Sequence, residues 1–172
     1  MPTHGGQVTD QISLRFELQK HGWADLYLKV DSRSLVLDSI SYGTEALPDL
    51  ARAALNIATG GSRAIVRFDS EPAEWRLVFT RNPLAPGRTS LDIKILRLPD
   101  ISRELPDKAG YSVLETQCDP DEFARAVLEC VQGVKEKYGA DGYRQRWKGG
   151  LGSECFPTEA LTALETVVSM RE

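Results

Sequence analysis

The segment from Ala64 to Phe79, AIVRFDSEPAEWRLVF, constrains the fold more than any other part of the chain. Apolar residues occupy every second position on both sides of a charged bend that contains Pro72. Because alternate side chains of a strand point to the same side, this pattern predicts a β-hairpin with one buried face. The residues expected to face the core are Val66, Phe68, Trp75, Leu77 and Phe79.

The same period of two predicts strands elsewhere in the chain. In the last long strand the apolar phase switches between Ile95 and Leu96. Such a switch indicates either a β-bulge or a strand end that is buried on both faces. The further strands are predicted over Ile12–Gln19, Asp25–Val30, Leu35–Leu37, Leu91–Leu98 and, from a weaker pattern, Tyr111–Cys118.

Apolar residues at helical spacing predict three helices, over Glu45–Ala58, Pro120–Tyr138 and Thr158–Met170. Thr44 is the expected N-cap of the first helix, because its hydroxyl can accept a hydrogen bond from a free backbone amide. Gly139 is expected to end the second helix, since glycine is the residue most often found just beyond a helix C-terminus.

The order of these elements indicates the fold class. Strands come in groups, with helices between and after the groups, whereas a parallel α/β fold needs a helix between successive strands. We therefore predict an α+β fold: an antiparallel, meander-rich β-sheet of about five to six strands, covered on one face by two to three helices. Residues 1–10 are expected to be a disordered or loosely attached tail, and residues 11–172 a single α+β domain.

Composition and charge argue against several classes of protein. The net charge of −4 is unlike that of a general nucleic-acid binder, which usually has a basic excess. The segment YRQRWK does interleave aromatic and basic residues, as in some nucleic-acid-binding surfaces. However, Tyr143 and Trp147 are four residues apart, so on a helix they would share one face and anchor it to the core. We also expect no membrane segment, because no apolar run reaches the length of a span.

No pattern of residues indicates catalysis or a cofactor. Cys118, Cys130 and Cys155 are widely spaced and odd in number, which favours buried thiols in a reducing cytoplasm over disulfides or a zinc site. Glu71 and Glu74 flank the hairpin bend, but an exposed turn would not separate the pKa values of two carboxyl groups for acid–base work. We therefore predict no metal, no cofactor and no catalytic residues, and a cytoplasmic location.

The second face of the predicted sheet is the candidate binding surface. Its mixture of charged and apolar residues is typical of a simple exposed face and also of a protein-binding surface. An alternative is a small-molecule-binding or enzymatic site assembled from this face, and a third is a homo-oligomer in which two such faces pack together. The candidate partner-binding residues are Tyr27, Arg67, Arg76, Val78, Asp92 and Lys94.

Several phrases of the sequence occur together in one kind of protein. These are Ser41-Tyr42, the helix DLARAALNIATG, the hairpin FDSEPAEWRLVF, and YG-x-x-x-Y-x-x-x-W followed by Phe156-Pro157. Together they resemble a group of uncharacterised small bacterial α+β proteins with an EPxEWR-type hairpin. The resemblance implies a non-enzymatic protein-binding function, in some members as an immunity protein that counteracts a toxin, and it implies no cofactor.

Overall fold

In the computed structural model, which describes residues 11–83, 89–148 and 156–172, seven strands and three α-helices are present among the described residues. Two short 3₁₀ turns, Ile101–Arg103 and Asp107–Ala109, lie between the last two strands. The strands are β1 (Ile12–Leu18), β2 (Trp23–Val30), β3 (Arg33–Ser41), β4 (Arg63–Ser70), β5 (Ala73–Pro83), β6 (Thr89–Leu98) and β7 (Tyr111–Cys118). The helices are α1 (Ala46–Ala58), α2 (Pro120–Lys148) and α3 (Thr158–Ser169).

The strands form two antiparallel meanders, β1-β2-β3 and β4-β5-β6-β7. The prediction of an α+β fold with antiparallel pairing is confirmed, but the prediction of a single sheet of five to six strands is wrong. The chain enters α1 between β3 and β4, and α1 lies beside the edge of β4 where β3 would otherwise pair. The Thr44 hydroxyl accepts a hydrogen bond from the Asp69 amide (3.2 Å), and the Asn56 side chain donates to the Arg63 carbonyl (3.1 Å).

The hairpin predicted from alternation is confirmed. β4 and β5 pair with Val66 opposite Leu77 and Phe68 opposite Trp75, and all the side chains predicted to face the core are buried. The bend contains a cis peptide bond before Pro72. The phase switch in β6 reflects burial on both faces, the second of the two predicted alternatives: β6 pairs with β5 without a register shift, and Leu96 and Leu98 are buried on the face opposite to that of Ile95. The pairing of β6 with β7 does shift here, but the extra residue, Val113, belongs to β7.

One boundary differs from the sequence predictions. Thr44 does not cap α1, whose N-cap residue is Glu45, because the Thr44 hydroxyl is engaged with β4. Gly139 interrupts α2 where the sequence predicts that the helix ends: it adopts the non-helical angles φ 70° and ψ 168°, and a second helical segment follows this kink as far as Lys148. The kink turns the segment that contains Tyr143 and Trp147 inward, so that Trp147 is fully buried against Phe16, with 5.9 Å between ring centroids.

One hydrophobic core joins both sheets and all three helices. At its centre the rings of Phe79 in β5 and Phe123 in α2 are 4.6 Å apart. Cys118 and Cys130 are buried in this core, as expected, whereas Cys155 and the predicted N-terminal tail lie outside the described residues. The face of the second sheet that points away from this core is called the outer face below.

Candidate functional site

The strand register places five of the six candidate residues on the outer face. Arg67 lies beside Arg76, Val78 beside Lys94, and Thr80 beside Asp92 in successive rows across the sheet. Tyr27 is not part of this surface, because it belongs to β2 in the other sheet. There the guanidinium group of Arg15 lies over its ring, 4.2 Å from the centroid.

Arg76 lies on the outer face as predicted, but it is not in contact with solvent there, because only 1% of the residue is exposed. Its Nε donates to Glu74 (2.5 Å) and its Nη1 donates to Asp107 (2.7 Å), which comes from the connector between β6 and β7. Burial works against the charge of Arg76, but hydrogen bonds from its guanidinium to these carboxylates outweigh that effect and raise its pKa.

Glu74 was expected in an exposed turn, and this expectation is wrong. It is 1% exposed, and both of its carboxylate oxygens accept hydrogen bonds from Arg76. A buried carboxylate such as that of Glu74 is stable only beside a charged partner, here the guanidinium group of Arg76. Because Arg76 also bonds to Asp107 in the connector, the pair holds the connector on the outer face and has a structural role.

Val78 is oriented away from the core as predicted, although only 7% of it is exposed. Its lateral neighbours Ile65 and Lys94 cover it from both sides. Val78 forms the floor of a shallow hollow of about 540 Å³, called the β6 hollow, whose lining also includes Asp92, Lys94 and Glu115. Lys94 is paired with Glu115 at 3.4 Å.

Asp92 is half-buried at the rim of the β6 hollow. Its Oδ2 accepts a hydrogen bond from the Asn82 side chain. Its Oδ1 is buried and, within residues 11–83, 89–148 and 156–172, has no hydrogen-bond partner. A carboxylate oxygen in this state can accept a hydrogen bond from a donor that enters the hollow.

Arg67 lies at a second cavity, between α1 and β4, which we call the β4 groove. Its volume is about 750 Å³. Helix α1 runs along one side and the edge of β4 along the other, and the contacts of Thr44 and Asn56 with β4 close its two ends. The lining residues are Thr44, Asp49, Arg52, Ala53, Asn56, Arg63, Ala64, Ile65 and Arg67.

The backbone of β4 presents unpaired groups to this groove. The backbone amide and carbonyl groups of even-numbered residues bond to β5, as the hydrogen bond from the Arg81 amide to the Ser62 carbonyl shows (2.9 Å). The backbone groups of odd-numbered residues therefore point the other way, as the bonds of Arg63 to Asn56 in α1 and of Asp69 to Thr44 just before α1 demonstrate. Between these two, the amide and carbonyl groups of Ile65 and Arg67 face the groove without a partner among the described residues.

The groove is basic, although the whole chain carries a net charge of −4. Three arginines and one aspartate line it, which gives 3 − 1 = +2. Arg52 is neutralised by Glu45 (3.1 Å) and Asp49 (2.9 Å). Arg63 has only a distant contact with Asp107 (3.9 Å), and Arg67 forms no ion pair with any residue that the structure describes.

Burial raises the pKa of the Asp49 carboxyl group, although the adjacent Arg52 opposes this shift. Arg52 already pairs with the acidic groups on the α1 side, so the cations of the groove that can attract an acidic group are Arg63 and Arg67 on the β4 side. Both are exposed, so ionic contacts made there contribute modestly and depend on salt.

Sequence reasoning placed Arg67 correctly on the outer face but did not identify the groove. Arg63 and Ile65 were missed as site residues. The alternation of apolar and polar residues in the sequence reveals which face of the sheet these two residues occupy. It does not reveal that β4 is an edge strand with α1 beside it. Among the described residues there is no cluster of three or more metal-ligating side chains. No described helix has the length and apolar character needed to cross a bilayer.

Comparison with models of protein families, with curated proteins and with solved structures found no match. The function is therefore inferred from the geometry of the chain itself.

Proposed function

We propose that this chain is a non-enzymatic protein-binding domain whose binding surface is the β4 groove with its flanking arginines. An immunity-type role, in which the chain occludes a toxin, is one form of this function. The observation that supports the proposal is the open centre of the β4 edge. Proteins usually protect edge strands, because unpaired backbone groups bind other chains.

The location of the polar groups supports binding rather than simple exposure. Thr44, just before α1, and Asn56, in α1, protect the two ends of the β4 edge, yet the backbone at Ile65 and Arg67 lines the groove. Ile65 is 43% exposed beside these groups, so a partner that pairs with the edge would also cover an apolar side chain. Arginine and apolar groups side by side are typical of the centres of protein interfaces.

A second candidate function is the binding of a small polar molecule in the β6 hollow. The observation that favours it is the buried, unpartnered Oδ1 of Asp92, as assessed over the part of the chain that the structure describes. The hollow is shallow, and Lys94, the cation among the described residues that line it, is paired with Glu115, so we rank this function second.

Capture of partners from the organism of origin tests the first proposal. The chain carries an affinity tag, and its binding is compared with that of a variant carrying Arg63→Glu and Arg67→Glu. The matched control carries Lys135→Glu and Arg144→Glu, two exposed positions on α2 that give the same change in net charge. We expect a stoichiometric protein that the wild type and the control retain and the groove variant loses.

The proposal is wrong if the two variants retain the same proteins in the same amounts. We further propose that binding takes place in the cytoplasm, where a buried thiol such as that of Cys130 stays reduced. Fractionation of the host cells checks this location.

A further inference from the structure

We infer that the β4 groove takes an extended acidic segment of a partner protein, which pairs with the backbone of β4 as a short additional strand. This inference rests on the proposed function and specifies its partner. The amides and carbonyls of Ile65 and Arg67 face the groove on one line, which is the arrangement that a pairing strand requires.

The length of the open edge limits the length of the segment. Arg63 and Asp69 are six residues apart along β4, a distance of about 20 Å for an extended chain. Their outward groups are already bonded, the Arg63 carbonyl to Asn56 and the Asp69 amide to Thr44. The additional strand therefore pairs over about three residues, centred opposite the interval from Ile65 to Arg67.

The side chains of β4 specify the sequence of the segment. Arg63, Ile65 and Arg67 lie on the same face at intervals of two residues. Residues directly opposite them in a paired strand lie on that face with the same interval. The segment should therefore carry Asp or Glu, then an apolar residue, then Asp or Glu, each separated by one residue.

A second copy of this chain does not fit the groove equally well. Antiparallel pairing of two β4 edges about Ile65 would place Arg63 of each copy opposite Arg67 of the other, and like charges in that position destabilise a pair. Shifting the axis by one residue would place Arg63 opposite Asp69, whose amide is occupied by Thr44. Charge and backbone access thus both favour an acidic partner.

Amide exchange measured by NMR tests this inference with defined peptides. The probe is an acetylated and amidated peptide built on Glu-Thr-Val-Thr-Glu, and its control has lysine in place of glutamate. At a concentration ten times the dissociation constant, about nine-tenths of the protein is bound, so exchange at the amides of Ile65 and Arg67 should slow about tenfold. The lysine peptide should leave both rates unchanged.

Two variants separate backbone pairing from charge attraction. Ile65→Pro removes one outward amide and leaves the ladder with β5 intact, since only even-numbered residues form it. Ile65→Thr keeps the amide and is its matched control. We expect the glutamate peptide to slow exchange at Arg67 in the threonine variant but not in the proline variant. Arg67→Glu, which leaves the backbone unchanged, should reduce binding of the glutamate peptide and permit binding of the lysine peptide.

Each outcome has a defined meaning. If the glutamate peptide binds but the amides of Ile65 and Arg67 exchange at their free rates, strand pairing is wrong. If the peptide does not bind while a natural partner is lost from the groove variant, this inference is wrong and the proposed function stands. If neither the peptide nor a partner depends on Arg63 and Arg67, both are wrong. If the proline variant unfolds, as loss of protection in the β5 ladder would show, the exchange rates of Ile65 and Arg67 in the wild type with bound glutamate peptide decide on strand pairing, and Arg67→Glu decides on charge.

Discussion

Replacing Arg76 by methionine should remove a large part of the stability of the fold. The Glu74 side chain is 1% exposed, and both of its oxygens bond to Arg76, so the variant leaves a buried carboxylate without a cation. Breaking a buried ion pair by removing one partner costs about 3–5 kcal/mol. The free energy of unfolding of an ordinary protein is only about 5–15 kcal/mol, so this loss is easily measured.

Equilibrium unfolding in urea at neutral pH, followed by tryptophan fluorescence, measures the change in unfolding free energy. The control is the double variant Glu74→Leu with Arg76→Met, which removes both charges and should recover most of the loss. Asp107→Asn should cost no more than about 1 kcal/mol, because that side chain is 43% exposed. A loss below about 1 kcal/mol for Arg76→Met alone would refute the assignment of a desolvated pair.

The kink in α2 and the buried thiols give two further predictions. Gly139→Ala should lower the unfolding free energy by about 1–3 kcal/mol, because φ 70° with ψ 168° is accessible essentially to glycine alone. The matched change Gly133→Ala, within the regular helix and with open space around it, should stabilise by up to about 1 kcal/mol; equal effects would contradict this explanation. In a Cys155→Ser variant, Ellman's reagent at about pH 8 should modify Cys118 and Cys130 only after unfolding, since burial raises the pKa of Cys130 to about 12. Rapid modification of the folded variant would show that these thiols are accessible.

Local patterns predicted the elements of the fold well. Alternation from Ala64 to Phe79 predicted the hairpin and its core face, because the period of two depends only on neighbouring residues. The phase switch at Ile95 and Leu96 left a bulge and a strand end buried on both faces as alternatives, and the structure shows the second. The division into two sheets was not predictable in this way, since it depends on α1 lying beside β4.

The candidate site shows the same division between local and long-range information. Alternation correctly placed Arg67 and Arg76 on one face. It could not reveal that Asp107, 31 residues further along the chain, covers Arg76. The sign of the charges was a usable signal, because Glu74 and Arg76 share a strand face at a spacing of two residues and could have been predicted to pair.

The central claim is that a partner binds at the centre of the β4 edge, and site-specific photo-crosslinking tests it most directly. A photoreactive benzoyl-phenylalanine replaces Ile65 in one variant and Tyr111 in another, positions that are 43% and 66% exposed. In the organism of origin, the variant at position 65 should form an adduct with another protein through a segment rich in Asp and Glu. Adducts of equal yield from position 111, or adducts from position 65 only with the chain itself, would contradict the claim.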